Sequence, residues 1–555
     1  MQNKVTYDQI IYITNEKEMT AAIFSLEHRF QVIDELIIPR SIMYNSKEYI
    51  ITRILKRSFT NSNIKSLKFS PDTQIQKIDQ GAFYISQIES LSIPSHLTEL
   101  PEGWCDHLKV SKISVSEENP RYRCCFENQM MVGKSSIDQE DFDCLIYCVR
   151  DIQKVIIPNY IKHICQYSIS ECYKLEQIEF QDDSKLQEIE NLTFNSLNIK
   201  SITIPSQVTR IGRFAFANCR NLEQVKFQQD SKLQIIEKHA FARTAIKSFT
   251  IPSKLTKIEE SAFECCKHLK IIRVPSDSKL QIIESNAFYE SSIEKISIPS
   301  QLIEFENGWC KKTCKLKKIS VSEENQRYRF KNQMIIGKSS IDQENFDCLV
   351  FCVRDIKKVI IPSFIKYVCP FSLNYCNNLK QIEFGENSKL QTIGESSFCF
   401  SSIRNLIIPS EVTKIENTAF SCCYFLQKIE IQKDSKLQII GESAFNYSKI
   451  KSLFIPSKVT VIKNYAFSHC KLLQKIEIQE DSELQLIEEG AFSQSSIACF
   501  IIPPKLKKFK NAFKECKSLL IIEVDGNYQL DYIDISNFNG YKNVIIMIPS
   551  NLRKH

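Results

Sequence analysis

Apolar residues recur along most of the chain in a six-residue pattern whose first, fourth and sixth positions are apolar. Examples are LEQIEF from residue 175, IKSITI from residue 199 and LEQVKF from residue 222. Successive hexamers begin alternately 23 and 24 residues apart, and about twenty-one of them occur between residues 33 and 548. Because side chains alternate between the two faces of a strand, the fourth and sixth positions share one face and the fifth lies on the other. The pattern therefore predicts one short parallel strand per coil of a mainly β solenoid.

The residues between hexamers also repeat, and periods of 20–29 residues with this apolar spacing are typical of leucine-rich-repeat solenoids. Proline often follows the sixth position and cannot donate to a ladder, so we expect it to end the strand. Further along each coil comes an Ala-Phe pair, and one stacked phenylalanine per coil would form an inner aromatic spine. The recurring phenylalanines are Phe216, Phe241, Phe263, Phe288, Phe420, Phe445, Phe467 and Phe492.

Terminal coils need caps because they would otherwise expose their core to water. We therefore expect an N-terminal cap over residues 1–55, a solenoid of about twenty coils over residues 56–524 and a C-terminal cap over residues 525–555. Within the first cap, residues 14–28 predict a short helix.

One block of the chain occurs twice. Residues 308–355 repeat residues 103–151 with a small gap, and matching residues beyond KSSIDQ differ by 204 in number. Trp104 and Trp309, the only two tryptophans, occupy matching places. In each copy two apolar runs flank a polar segment such as SSIDQEDF, which predicts a protruding β-hairpin. We place these insertions at about 116–150 and 322–354, and they could pair two chains.

Composition narrows the class of protein. Hydrophobic residues make up 43% and charged residues 25% of the 555 residues, as in folded rather than disordered chains. The net charge of +7 is spread along the chain, and the basic runs at 311–318 and 505–510 are typical of solvated edges, so we expect no nucleic-acid partner. The sequence pattern predicts neither a signal peptide nor a membrane span. Taken alone, this predicts a cytoplasmic protein.

The 22 cysteines follow the repeat instead of forming a disulfide framework. Seven occur three residues before a hexamer, one double coil apart, and cysteines at that spacing would lie about 10 Å apart, too far to bridge. We therefore expect small buried thiols and a reducing compartment. These seven are Cys172, Cys219, Cys266, Cys376, Cys423, Cys470 and Cys516.

The sequence offers no catalytic, cofactor or metal site. The pairs Cys144/Cys148 and Cys348/Cys352 would have side chains about 13 Å apart on a strand, which is wrong for joint metal ligation. The GKSS segments at 133–136 and 337–340 lack the upstream glycine of a phosphate-binding loop, so we expect them to form the hairpin tips. We therefore predict that the protein is not an enzyme.

The fifth hexamer position faces outward, where a partner protein would bind. Beyond the second hairpin this position alternates between apolar and acidic residues, whereas the first block has polar residues such as Thr203, Lys226 and Thr250. Apolar residues also suit any sheet surface and glutamates keep it soluble, so a partner-binding stripe and a purely structural surface both remain open. The candidate partner-binding residues are Ile360, Glu383, Ile407, Glu430, Phe454, Glu477, Ile501 and Glu523, continued by Met547.

The repeated units IPSxVTxIxxxAFxxC and SKLQxIxxxAF, with the SEENPRY and GWC segments, closely resemble the BspA-like leucine-rich-repeat surface antigens of the trichomonad type. The resemblance covers the chain from about Ile33 to Leu552. It implies a right-handed solenoid, a location at the cell surface and a role in binding host proteins or surfaces, with no catalytic residues to carry over. We expect a non-enzymatic adhesin or surface antigen, with an intracellular protein-assembly scaffold as the alternative.

Overall fold

The computed structural model describes residues 2–28, 31–509, 511–525 and 544–547. Among these residues every regular element is a β-strand, and none forms a helix of the length and apolar character needed to cross a membrane. The chain divides into two compact units, Met1–Leu269 with Pro275–Ile283 (unit 1) and Lys270–Val274 with Glu284–His555 (unit 2). Both units are parallel-strand solenoids with coils of about 23 residues, which confirms the predicted fold class.

One set of strands coincides with the predicted hexamers, and we call these the face strands. Parallel ladders join neighbouring face strands within each unit, mostly in pairs. Many end immediately before the repeated proline, as Lys154–Ile157 and Asn405–Ile408 do. In unit 1 the face strands are Val32–Ile38, Asn63–Phe69, Ser90–Ile93, Lys112–Val115, Lys154–Ile157, Gln177–Phe180, Ser201–Ile204, Gln224–Phe227 and Ser248–Thr250. In unit 2 they are Ile271–Arg273, Lys295–Ile298, Lys318–Val321, Lys358–Ile361, Gln381–Phe384, Asn405–Ile408, Lys428–Ile431, Ser452–Ile455, Lys475–Ile478, Cys499–Ile502, Ile521–Val524 and Ile545–Met547.

A second, two-residue strand in most coils was not predicted from the sequence. It falls on the segment after the face strand, where a buried isoleucine or valine usually follows a partly exposed residue. Such a short strand gives too few alternating positions to be recognised by periodicity. In unit 1 the short strands are Lys77–Ile78, His163–Ile164, Glu188–Ile189, Arg210–Ile211, Ile235–Ile236, Lys257–Ile258 and Ile282–Ile283. In unit 2 they are Glu304–Phe305, Tyr367–Val368, Thr392–Ile393, Lys414–Ile415, Ile439–Ile440, Val461–Ile462 and Leu486–Ile487.

The Ala-Phe pairs build the core of each coil, as predicted. Neighbouring phenylalanine rings stack, with centroids 5.1 Å apart for Phe216 and Phe241 and 5.2 Å apart for Phe420 and Phe445. The backbone reinforces this stack, because the amide of Phe216 donates to the carbonyl of Ala240 in the next coil over 2.7 Å. Rings and inter-coil hydrogen bonds therefore tie each coil to its neighbours within a unit.

Five strands of the N-terminal region form a sheet to which the short strand Lys77–Ile78 is joined by pairing with Lys47–Ile54, and the predicted helix over residues 14–28 is wrong. Those residues contain the end of one strand and all of the next, paired antiparallel. Ile10, Tyr12, Ala21 and Ile23 are buried at alternate positions, a period of two that outweighs the helix propensity of the TNEKEM segment. The strands are, in order across the sheet, Gln2–Tyr7, Ile10–Asn15, Thr20–Leu26, Lys47–Ile54 and Ser41–Tyr44.

The two insertions each contain an antiparallel hairpin, but the hairpin strands are buried instead of protruding. The last strand of each hairpin continues as the first member of its unit's ladder of short strands. Trp104 packs on Tyr147, and Trp309 packs on Phe351, with ring centroids 5.7 and 5.4 Å apart. The inserted strands are Tyr122–Cys125, Met130–Gly133 and Cys144–Cys148 in unit 1, and Tyr328–Lys331, Met334–Gly337 and Cys348–Cys352 in unit 2. The predicted C-terminal cap lies outside the described residues, apart from residues 525 and 544–547.

Candidate recognition surface

The fifth positions of the face strands in unit 2 form an outward-facing line that we call the face column. Ile360, Ile407 and Ile501 are 54%, 53% and 51% exposed, while Phe454 is half-buried. Each of these residues lies in register beside a glutamate of the next strand. The structure thus brings the eight candidate residues together as four apolar–acidic pairs, which are Ile360–Glu383, Ile407–Glu430, Phe454–Glu477 and Ile501–Glu523.

Lysines that the sequence analysis left out neutralise most of the acidic positions. Lys358 lies 2.6 Å from Glu383, Lys428 lies 2.5 Å from Glu430, and Lys475 pairs with Glu477. These lysines occupy the third hexamer position, which faces the same way as the fifth because side chains alternate. The alternation of strand faces was therefore the signal that could have identified them. The glutamates face solvent mostly as ion pairs, and the apolar residues form the chemically distinct part of the column.

The matching positions in unit 1 begin alike and then diverge. Ile156 is exposed, and Glu179 pairs with Lys154 over 3.0 Å, as in the second copy. The following positions are Thr203, Lys226 and Thr250, all exposed. A line of exposed apolar residues on alternate coils that continues beyond the first pair is therefore a property of unit 2.

Two adjoining cavities lie beside the face column in unit 2, and we call them together the lysine groove. One has a volume of about 830 Å³ and is lined by Glu383, Gly385 and Ile407, among others. The other has a volume of about 800 Å³ and is lined by residues of the hairpin, including Phe346. Lys366 and Lys389 line both cavities. This groove could not be identified from the sequence, because its walls come from the hairpin, the short strands and the loops after the face strands.

The GKSS segments form closed tips rather than open phosphate loops. The amide and hydroxyl of Ser135 donate to the carboxylate of Asp143 over 3.0 and 3.2 Å, and Ser339 makes the same bonds to Asp347. Burial alone would raise the pKa of Asp143, but the bonds from Ser135 outweigh it and hold that pKa below its usual range. The hydrogen-bond donors of Ser135 and Ser339 are therefore bonded to carboxylates of the same hairpins. Self-association through the hairpins stays a prediction.

The seven regularly spaced cysteines are small thiols inside the coils, as predicted, with only Cys516 half-buried and no disulfide among them. The thiol of Cys219 donates to the carbonyl of Phe194 over 3.0 Å, and that of Cys423 donates to the carbonyl of Phe398 over 3.3 Å. Burial raises the pKa of both thiols to about 12, so neither is a nucleophile at neutral pH. Nor does any group of three or more potential metal ligands occur in the part of the chain that the structure describes.

Comparison with known proteins gives a clear family match. A family model described as "BspA type Leucine rich repeat region" matches residues 39–132, 137–270, 225–342, 339–473 and 438–554. A search of curated proteins gave no match.

Several solved structures are similar to this chain. A leucine-rich cell surface protein from Faecalibacterium prausnitzii is 17% identical, with a TM-score of 0.42 and coverage of 98% of both chains. A leucine-rich repeat protein from Eubacterium ventriosum is 21% identical, with a TM-score of 0.45 over 61% of this chain and 87% of that one. The pneumococcal vaccine antigen PcpA is 14% identical, with a TM-score of 0.31 over 99% of this chain and 94% of that one.

Proposed function

Since the chain belongs to the BspA-type leucine-rich-repeat family, we propose that it is a non-enzymatic recognition protein, an adhesin or surface antigen that binds a protein partner. Proteins of this family are generally recognition modules. The binding surface is the face column of unit 2, and the partner is a protein of the host or of the same cell.

The observation that carries the proposal is the exposure of Ile360, Ile407 and Ile501 at regular intervals along one face. Isolated exposed isoleucines are ordinary, whereas an exposed apolar line flanked by ion pairs has the composition of an interface core with a polar rim. Beyond Ile156 the equivalent line in unit 1 is polar, so the repeat scaffold does not require these side chains.

An intracellular protein-assembly scaffold is the second candidate, and the thiols favour it. Seven regularly spaced cysteines without a disulfide fit a reducing compartment better than an oxidising one. Antibody labelling of intact source cells, compared with the same cells after permeabilisation, separates the two. Labelling of intact cells supports the adhesin, and labelling that requires permeabilisation supports the scaffold.

The binding surface is tested with Phe454→Lys and Ile501→Lys together, compared with the control pair Thr203→Lys and Thr250→Lys at exposed fifth positions of unit 1. We expect the first pair to reduce partner capture by at least about 30-fold, the effect of losing a hot spot of about 2 kcal/mol. The thermal midpoint should stay unchanged, because both residues point outward. A large fall in that midpoint would show that the side chains are packed and would refute the proposed surface.

A further inference from the structure

Two cysteine pairs, one in each copy of the duplicated block, lie outside the regular cysteine spacing. In the second copy they are Cys348, at the start of the last hairpin strand, and Cys369, immediately after the short strand Tyr367–Val368. In the first copy they are Cys144 and Cys165, each 204 residues earlier. Both members of the pair were therefore duplicated together with the block.

The register of the strands places the two cysteines of a pair on the same side of the sheet. Cys348 is the register partner of Tyr367 on the neighbouring parallel strand. The backbone of that strand stays hydrogen-bonded beyond this point, because the amide of Cys369 donates to the carbonyl of Leu349 over 2.9 Å. Since side chains alternate along a strand, Cys369 points to the same side as Tyr367 and therefore as Cys348. The first copy has the same register, and the amide of Cys165 makes the same bond over 3.0 Å.

The two thiols of each pair are in contact. A side-chain hydrogen bond joins Cys348 to Cys369 and, together with burial, raises the pKa of Cys348. The same contact joins Cys144 to Cys165 and raises the pKa of Cys165, again with burial as the next cause. Because only the thiolate is a good nucleophile, these pairs react slowly at neutral pH. Forming a disulfide requires the two sulfurs only to close from hydrogen-bond contact to about 2.05 Å.

One thiol of each pair is buried and the other reaches solvent. Cys144 and Cys348 are each 6% exposed, and each donates to the carboxylate of the preceding aspartate over 3.6 Å. Cys165 and Cys369 are partly exposed. An oxidant in solution can therefore reach the second thiol of each pair, while the first is held beside it by its own hydrogen bond.

We propose that Cys144 with Cys165, and Cys348 with Cys369, are oxidation sites, each forming a disulfide that joins the last hairpin strand to the coil that follows. With glutathione disulfide as the oxidant, the exposed thiol attacks one of its sulfurs, displaces one glutathione and leaves a mixed disulfide on the protein. The buried thiol then attacks the protein sulfur of that mixed disulfide and displaces the second glutathione. Two protein S–H bonds and the glutathione S–S bond are thus exchanged for one protein S–S bond and two glutathione S–H bonds. The protein loses two electrons, which the glutathione disulfide gains.

The two disulfides respond to the surroundings of the protein. They form where conditions are oxidising, as outside a cell, and stay open in a reducing compartment. Each closed disulfide anchors a hairpin covalently to the stack of coils. The inference adds a covalent site to the proposed recognition protein and does not depend on the face column.

The test incubates the full chain, purified in reduced form, with glutathione disulfide at about pH 8.5, where ordinary thiols begin to ionise. The remaining thiols are alkylated in urea, and tryptic peptides are mapped by mass spectrometry. We expect two linked peptide pairs that separate on reduction, with fragment ions assigning the bonds to the two proposed pairs. The linked form should exceed the mixed disulfide at Cys369 by at least about tenfold, because an adjacent thiol has a far higher effective concentration than glutathione in solution. Cys219 and Cys423, fully buried and bonded to backbone carbonyls, should stay reduced.

Two matched variants separate the copies. In Cys348→Ser, Cys369 should retain a glutathione because no second thiol displaces it, while the disulfide of the first copy still forms. Cys144→Ser should give the reciprocal result, with a glutathione retained on Cys165. Mapping of the unaltered chain decides the question even where a variant folds poorly.

Three outcomes would overturn the inference. The first is a lasting mixed disulfide at Cys369 in the unaltered chain, which would show that the buried thiol cannot reach it. The second is a different pairing, such as Cys148 with Cys172, which lie on the same tryptic peptides as the first proposed pair. The third is equal linkage when the oxidation is carried out in urea, which would show that the fold does not bring the pairs together.

Discussion

The two copies of the duplicated block share an interior and differ on the surface. Phe216 and Phe420, 204 residues apart, are both fully buried and stack on their neighbours at 5.0–5.1 Å and 4.9–5.2 Å. On the face, by contrast, Thr203 matches Ile407, and beside it Gln181 matches Gly385. A core side chain must pack against neighbouring coils on both sides, whereas an outward-facing side chain contacts only water or a partner. Differences between the copies therefore concentrate where binding is proposed.

The strongest challenge to a shared interior is to remove one matched ring from each copy. Phe216→Ala and Phe420→Ala should each lower the free energy of unfolding by about 3–5 kcal/mol, because each removes a fully buried ring and leaves a cavity. Urea denaturation of the two variants measures the effect. Losses differing by more than about 2 kcal/mol would contradict the equivalence of the two interiors.

An arginine at the base of each hairpin offers a finer comparison. Arg150 donates from Nη1, Nη2 and Nε to the carbonyls of Ser168, Tyr167 and Leu108 over 3.0, 2.9 and 3.0 Å. Arg354 donates from Nη1 to Ser372 over 3.0 Å, but its buried Nε has no acceptor among the described residues. The second copy therefore holds its arginine with one hydrogen bond fewer.

Arg150→Met should accordingly cost about 1–3 kcal/mol more than Arg354→Met, the contribution of one hydrogen bond from a charged donor together with the acceptor left unpaired. Parallel urea titrations of the two variants give this difference directly. Equal losses would show that the Nε bond of Arg150 adds nothing to stability.

The smallest expected effect is a shared sensitivity to alkali. Burial raises the pKa of Cys219 and Cys423 to about 12 in the folded chain, against 9.0 for an ordinary thiol. Between about pH 9 and 12 the unfolded chain releases a thiol proton that the folded chain retains. The contribution of each thiol to the free energy of unfolding is therefore fully present below about pH 9 and is lost as the pH rises to about 12.

The free energy of unfolding of the unaltered chain falls between pH 8 and pH 10 because of these thiols. In Cys219→Ala or Cys423→Ala, which each lack one thiol, this fall should be smaller by about 1.4 kcal/mol. Denaturant titrations at the two pH values, with the unaltered chain as reference, measure this change. The two variants should behave alike, and a pH dependence identical to that of the unaltered chain would refute the raised thiol pKa values.

Much of the fold could be predicted because each coil repeats the same pattern of buried and exposed side chains. The apolar hexamer, the Ala-Phe pair and the cysteine spacing occur many times, so the fold class, the aromatic spine and the buried thiols followed from the pattern. The N-terminal helix was wrong because residues 14–28 occur once, and a single short segment allows helix propensity and a period of two to compete. The short strands were missed because two residues carry no period.

The sequence by itself determined which residues point inward and which point outward, including the exposed line from Ile360 to Ile501, because side-chain alternation is a local property of a strand. Only the tertiary structure decided what lies beside that line. The pairing of Lys358 with Glu383, the satisfied carboxylate of Asp347 and the groove around Lys366 and Lys389 depend on residues from separate coils and from the hairpin. Charge balance and cavities arise from distances between coils, and those distances exist only once the coils are stacked.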